Sequence, residues 1–128
     1  MAKKEFTYKG KKPEELKQMT PKEFSEICPS RIRRSIRRGF REPQKRLLKK
    51  LREKPDKTVK THCRDMVILP EMIDRTIQIH NGKEYKSVTI TAEMVGQYLG
   101  DFSLSRNKVA HSSPGVGATK SSAHVSVK

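Results

Sequence analysis

The sequence predicts an α+β fold: a small antiparallel sheet with a hairpin and short helices, preceded by basic helices and followed by an extended tail. Three observations predict it. Ile77 and Ile79, then Val88 and Ile90, alternate with polar residues on either side of Asn81-Gly82, the pattern of two strands joined by a tight turn. Between residues 30 and 54 the apolar residues recur instead at helical spacing. After Ser103 neither period survives, and the chain becomes rich in Ser, Gly, Lys and His.

Each element can be justified in order. EFTYKG (5–10) reads as a short strand, and PEELKQM (13–19) as a brief helix with Pro13 at its first position and acids in its first turn. Thr20 and Glu23 form a capping box for a helix that turns Phe24 and Ile27 inward and stops before Pro29. The next helix runs from about Ser30 to Arg38, closed by Gly39, with Ile32, Ile36 and Phe40 as a narrow apolar stripe. A further helix from Pro43 to about Lys54 buries Leu47, Leu48 and Leu51. Met66 to Leu69 is an apolar run expected to be a buried strand stopped by Pro70. The hairpin follows, its Asn81-Gly82 turn expected to be type I′. TAEMVGQYLGD reads as a short helix with Thr91 at its N-cap and Gly100 at its C-terminus, with Met94, Val95 and Tyr98 in the core.

These breaks divide the chain into a basic helical N-terminal region (1–58), a compact strand–hairpin–helix core (59–104) and an extended C-terminal tail (105–128). Apolar residues make up 33% of the chain, and glycine raises that to about 38%, below the ~45–50% of compact domains. The core is therefore expected to be small, with parts of the chain ordered by a partner. No apolar run approaches the ~20 residues of a membrane span, and the charged N-terminus has no apolar stretch behind it to act as a secretory signal. Cys28 and Cys63 are solitary, forming neither a disulfide framework nor a metal knuckle, which fits a reducing cytoplasm.

Charge is the strongest compositional signal. The net charge is +15. Residues 1–60 hold 21 basic and 8 acidic side chains, whereas residues 61–128 hold 8 and 6. An ordinary solvated helix face mixes signs to gain i,i+4 pairs, but the helices after residue 30 hold few acids. Arginine at this density suits phosphate, because the guanidinium fork engages two phosphate oxygens. A polyanion, nucleic acid first, is the expected partner.

Catalytic constellations are missing. His62, His80, His111 and His124 have no ligand-like spacing with cysteines or carboxylates, so no metal site is expected. His62 and Cys63 are adjacent on extended chain and point to opposite faces, which rules out a nucleophile–base pair. The C-terminal SPGVGATKSS resembles a phosphate-cradling loop, but the glycine positions of that motif hold Pro114 and Thr119 ahead of Lys120, and too few residues follow for its helix. No enzyme and no cofactor are expected.

From the hairpin onward the residues match a known pattern. Asn81-Gly82-Lys83, then Ile90, then Val95-Gly96, Leu99-Gly100-Asp101-Phe102 and Ser105-Arg106 resemble the signature of the small-subunit ribosomal protein family S-nineteen. CRDMVILPEM, the two basic helices and the tail from His111 resemble the archaeal and eukaryotic branch, whose eukaryotic members are called S-fifteen-e. The chain departs from the usual wording at Gln97 (His is common), Asp101 (Glu is common) and Ile73-Asp74 (often Val-Gly). The resemblance implies a structural constituent of the small subunit, located in the cytoplasm. It implies binding to small-subunit rRNA in the head and contact with ribosomal protein S-thirteen. It also implies a tail reaching toward the decoding site, near tRNA in the aminoacyl position. Residues expected to meet RNA are Arg31, Arg33, Arg34, Arg37, Arg38, Arg41, Lys45, Lys49, Arg52 and Lys60 in the first half, then Arg64, Lys83, Arg106, Lys108 and Lys120. The alternative is a DNA-binding helical module using the helix pair 30–54, in which Gln44 is the only amide available for base edges.

Overall fold

A computed structural model describes residues 6–120. Four helices come first, each with a local cause. Helix α1 (Pro13–Gln18) starts on Pro13, has Glu14 and Glu15 in its first turn and buries Leu16. Helix α2 (Pro21–Ile27) has the expected capping box: Thr20 Oγ1 accepts from the Glu23 amide at 3.4 Å, and Glu23 Oε2 accepts from the Thr20 amide at 2.8 Å. Helix α3 (Ser30–Arg37) buries Ile32 and Ile36. It is stopped by Gly39 at φ +85, a conformation that glycine adopts without steric cost. Helix α4 (Glu42–Glu53) buries Leu47, Leu48 and Leu51, and its Gln44 Oε1 accepts from the Arg41 amide at 3.0 Å.

The α+β class holds, but the sheet is mixed. It has three strands in the order β1 (Val59–Thr61), β2 (Thr76–His80) and β3 (Tyr85–Thr89). β1 runs parallel to β2, with Val59 opposite Ile77 and Thr61 opposite Ile79; β3 pairs antiparallel, with Ile77 opposite Val88 and His80 opposite Tyr85. A three-residue strand with a lysine at its centre gives almost no alternation to read, which is why β1 escaped the sequence pattern. Parallel pairing needs a long crossover, and residues 62–75 supply it.

The run Met66 to Leu69, expected as a strand, is buried extended chain inside this crossover. It makes only an isolated bridge, Val67 with Tyr98, closed by bonds from the Ile68 amide to the Gln97 carbonyl (2.8 Å) and from the Leu99 amide to the Met66 carbonyl (2.9 Å). Its partner segment cannot continue a ladder because Gly96 sits at φ +80. The same glycine breaks the helix expected over 91–100 into two 3₁₀ turns, Ala92–Met94 and Leu99–Phe102. Thr91 makes no side-chain cap bond, and Gly100 lies inside the second turn. There a Cβ would come within 2.9 Å of the Arg64 carbonyl oxygen.

Two turns also differ from expectation. EFTYKG forms no strand among the described residues, only a Tyr8–Lys11 bridge around left-handed Lys9 and Gly10; Glu5 lies outside them. In the hairpin only Gly82 has positive φ, so the turn is not type I′, which needs it at both central residues. Asn81 Oδ1 instead accepts from the amides of Lys83 (2.9 Å) and Glu84 (2.8 Å), the side-chain mimic of a turn that asparagine favours. At the Ile73-Asp74 departure, Asp74 adopts φ +66, where glycine would sit easily and aspartate is tolerated, and its carboxylate holds Lys17 Nζ at 2.6 Å.

One buried cluster serves both halves. Leu16, Phe24, Leu47 and Leu51 of the helices join Met66 to Leu69, Ile77, Ile79, Ile90 and Leu99. Phe40, Met94 and Tyr98 are only partly buried at its rim. From Leu104 to Lys120 every residue is exposed.

Candidate nucleic-acid interface

Nine of the fifteen basic residues expected to bind RNA fall into three groups. Arg33 and Arg64 are occupied within the protein. Arg33 Nε donates to the Ser25 carbonyl (3.2 Å) and its Nη2 to the carbonyls of Glu26 and Cys28 (both 3.0 Å), so it caps the end of α2. Arg64 donates to the carbonyls of His80 (2.8 Å), Gly100 (2.9 Å) and Ser103 (2.5 Å). It thereby ties the crossover to the end of β2 and to the second 3₁₀ turn.

A second group is paired with acids at the surface. Arg52 makes a two-pronged contact with Glu71 at 3.0 and 3.1 Å, which raises the Arg52 pKa above its ordinary value. Lys45 meets Glu42 at 2.8 Å and holds that carboxyl below its usual range, and Lys49 lies 3.8 Å from Glu53. Arg41 stands 3.6 Å from Asp65. Exposed pairs of this kind contribute only about 0–1 kcal/mol, so a phosphate can displace them.

The third group is free. Arg34, Arg37 and Arg38 make no side-chain bond or ion pair among the described residues and share the side of α3 turned away from Ile32 and Ile36. Together with Ser30 and Arg33 they line a shallow groove of about 330 Å³. Next to it, Arg31, Arg38, Arg41 and Arg64 border a cleft of about 540 Å³ that also takes in Gln44, Tyr98, Asp65 and Asp101. Tyr98 was expected in the core. It lies half-buried in the cleft, its hydroxyl 3.0 Å from Ser35 Oγ and its ring 5.4 Å beneath the Arg31 guanidinium. The helical reading of residues 91–100 hid this placement.

Lys60 and Lys83 are exposed on the sheet and its turn; Arg106, Lys108 and Lys120 are exposed along the tail. Gln44 is buried and already accepts the Arg41 amide. A glutamine at the third position of a helix is a capping signal in its own right, and here that role removes the one amide the DNA reading offered for base edges. No group of His, Cys, Asp and Glu among the described residues is arranged to hold a metal ion. None of their helices is long and apolar enough to cross a membrane.

The segment 34–111 matches the model of the family described as ribosomal protein S19. That match spans more than half of the chain and takes in the free arginines of α3, the whole sheet and all of the cleft except Arg31. The chain belongs to the ribosomal protein S19 family. It is therefore a small-subunit ribosomal protein that binds rRNA, from a family that is structural, not enzymatic. For an S19 protein the geometry has a direct reading. Phosphate contacts fix position and register without reading sequence, and unpaired guanidiniums carry the charge and the paired donors that such contacts use.

Proposed function

We propose that this chain docks into the rRNA of the small-subunit head through the free arginine face of α3 and the cleft beside it. The observation that carries the reading is that Arg34, Arg37 and Arg38 stay unpaired side by side. Like charges at i,i+3 and i,i+4 destabilise a helix, and a phosphate backbone reverses that. The A-form helix hides its base edges in a deep groove, so such a face recognises shape. The resemblance to the archaeal and eukaryotic branch supports three finer features: placement in the cytoplasmic ribosome, contact with ribosomal protein S-thirteen, and a tail from His111 that reaches toward aminoacyl-site tRNA. The tail's uninterrupted exposure through Lys120 is what such a reach requires.

The test is the salt dependence of binding to structured rRNA. Each lost phosphate contact lowers the log–log slope by about 0.7–0.9. Replacing Arg34, Arg37 and Arg38 with Gln should reduce the slope by about two to three and lower co-sedimentation with small subunits. An unchanged slope would refute docking through this face. Deleting residues 111–128 should leave assembly intact and alter tRNA selection; a truncated chain translating at wild-type speed and accuracy would refute the tail assignment.

A further inference from the structure

The sheet has a second chemical surface, on the side facing away from Ile77 and Ile79. Pairing places His80 directly opposite Tyr85, and His62 follows β1 just past the Thr61–Ile79 pair, so three rings form one row across the three strands. The ring centroids of His62 and His80 are 4.4 Å apart, those of His80 and Tyr85 4.8 Å, and those of His62 and Tyr85 5.4 Å. The Tyr85 hydroxyl lies 2.6 Å from His62 Nε2, which locks the two rings together. Lys60 Nζ sits 5.3 Å from the Tyr85 ring. One row further along the sheet, Gln78 and Ser87 face each other, and neither side chain has a hydrogen-bond partner among the described residues. Tyr85 is 38% exposed, the only large aromatic so exposed in the described chain.

We infer that this face is a stacking platform for an unpaired RNA base. The inference rests on the rRNA-binding reading and adds a second mode of contact to it. Three parts point to a base and not to a protein neighbour. The rings are flat, held against one another by the Tyr85–His62 hydrogen bond and carried on paired strands, and the rest of this face is polar. Gln78 and Ser87 offer an unused amide and hydroxyl in the next row of the same face, beside the rings. Lys60 supplies a cation for the neighbouring phosphate. A sheet face with aromatic side chains in register is a recurring solution for holding splayed bases, because every base has a π-face. None of these residues lines the arginine cleft, so duplex phosphate and unpaired base are met on separate surfaces.

The experiment uses the full chain with two probes, a single-stranded oligouridine and a blunt RNA duplex of equal length. His62→Ala with Tyr85→Ala should weaken oligouridine binding by roughly 5- to 100-fold, the range for loss of base stacking, and leave duplex binding as it was. Tyr85→Phe keeps the π-face and should retain oligouridine binding, and ultraviolet crosslinks from the oligouridine should map to Tyr85. Wild-type oligouridine affinity in the double variant would overturn the inference, as would equal loss on both probes or Tyr85 crosslinks to protein alone in purified subunits. The α3 arginine variants test the underlying reading separately, since they act on the duplex probe.

Discussion

Arg64 offers the sharpest separation between an RNA contact and a structural residue. Its guanidinium donates to three backbone carbonyls on two distant segments, those of His80, Gly100 and Ser103. Hydrogen bonds from a charged donor contribute about 1.5–3 kcal/mol each. The three are not additive, because water reaches part of the vacated site. Arg64→Ala is therefore expected to cost about 3–5 kcal/mol, a large share of the ~5–15 kcal/mol that holds a domain together. With a urea m-value of ~1–3 kcal/mol/M, the midpoint should fall by at least about 1 M. Arg64→Lys keeps the charge but cannot fork to three carbonyls, so it should lose an intermediate amount. The assay pairs urea unfolding with the salt slope of rRNA binding, measured where each variant is folded. A phosphate-binding Arg64 would show the reverse pattern: an unchanged urea midpoint and a slope lower by about 0.7–0.9. That result would refute the latch.

Three other outcomes test the fold. Ile79 is fully buried, so Ile79→Ala should destabilise by about 2–5 kcal/mol in urea unfolding; a loss under about 0.5 kcal/mol would sink the register of β2. Gly100→Ala drives a methyl against the Arg64 carbonyl and should lower the midpoint more than Gly82→Ala, which meets only the strain of positive φ; the opposite ranking would contradict the packing. Burial, then a hydrogen bond to Cys28, raises the Tyr8 pKa from 10.0 to about 12. A raised folded-state value means Tyr8 contributes its stability fully below pH 10 and loses it as pH climbs through 12; Tyr8→Phe should flatten stability across that window, and an unflattened profile would place Tyr8 in solvent.

How much of this was legible in the sequence depended on whether the signal was local. Capping and periodicity are local, and they placed all four helices: Thr20 with Glu23, Pro13, the Ile32–Ile36 stripe and Gly39. The hairpin arms were legible for the same reason, since Ile77 and Ile79 alternate within one strand. What failed was non-local. Nothing near Val59 states that it will pair in parallel with Ile77, and nothing in Met66 to Leu69 distinguishes a strand from buried extended chain whose partner is broken by Gly96. The candidate interface was half legible. Composition marked the helices 30–54 as basic, but Arg33 and Arg34 are identical in sequence terms and differ by the 100° of one helical step. That step decides whether a guanidinium meets the carbonyls at the end of α2 or faces outward.

The division of the arginines follows from the low apolar content. With only 33% hydrophobic residues, the chain has few side chains with which to fix its irregular segments, namely the end of α2, the 62–75 crossover and the broken 91–102 stretch. Those segments leave carbonyls without ladder partners, and an unpaired buried carbonyl is costly. Arg33 meets three carbonyls at the end of α2, and Arg64 meets those of His80, Gly100 and Ser103, each with one side chain, something no aliphatic residue can do. The remaining arginines then carry an electrostatic strain of their own. Arg31, Arg34 and Arg38 repel along α3 by about a few tenths of a kcal/mol per neighbouring pair, a penalty that phosphates in the proposed docking would convert into attraction. The same residue type thus closes the fold from inside and leaves it electrostatically incomplete outside. The first role fixes the scaffold before binding, and the second is the repulsion that the proposed docking on rRNA phosphates would relieve.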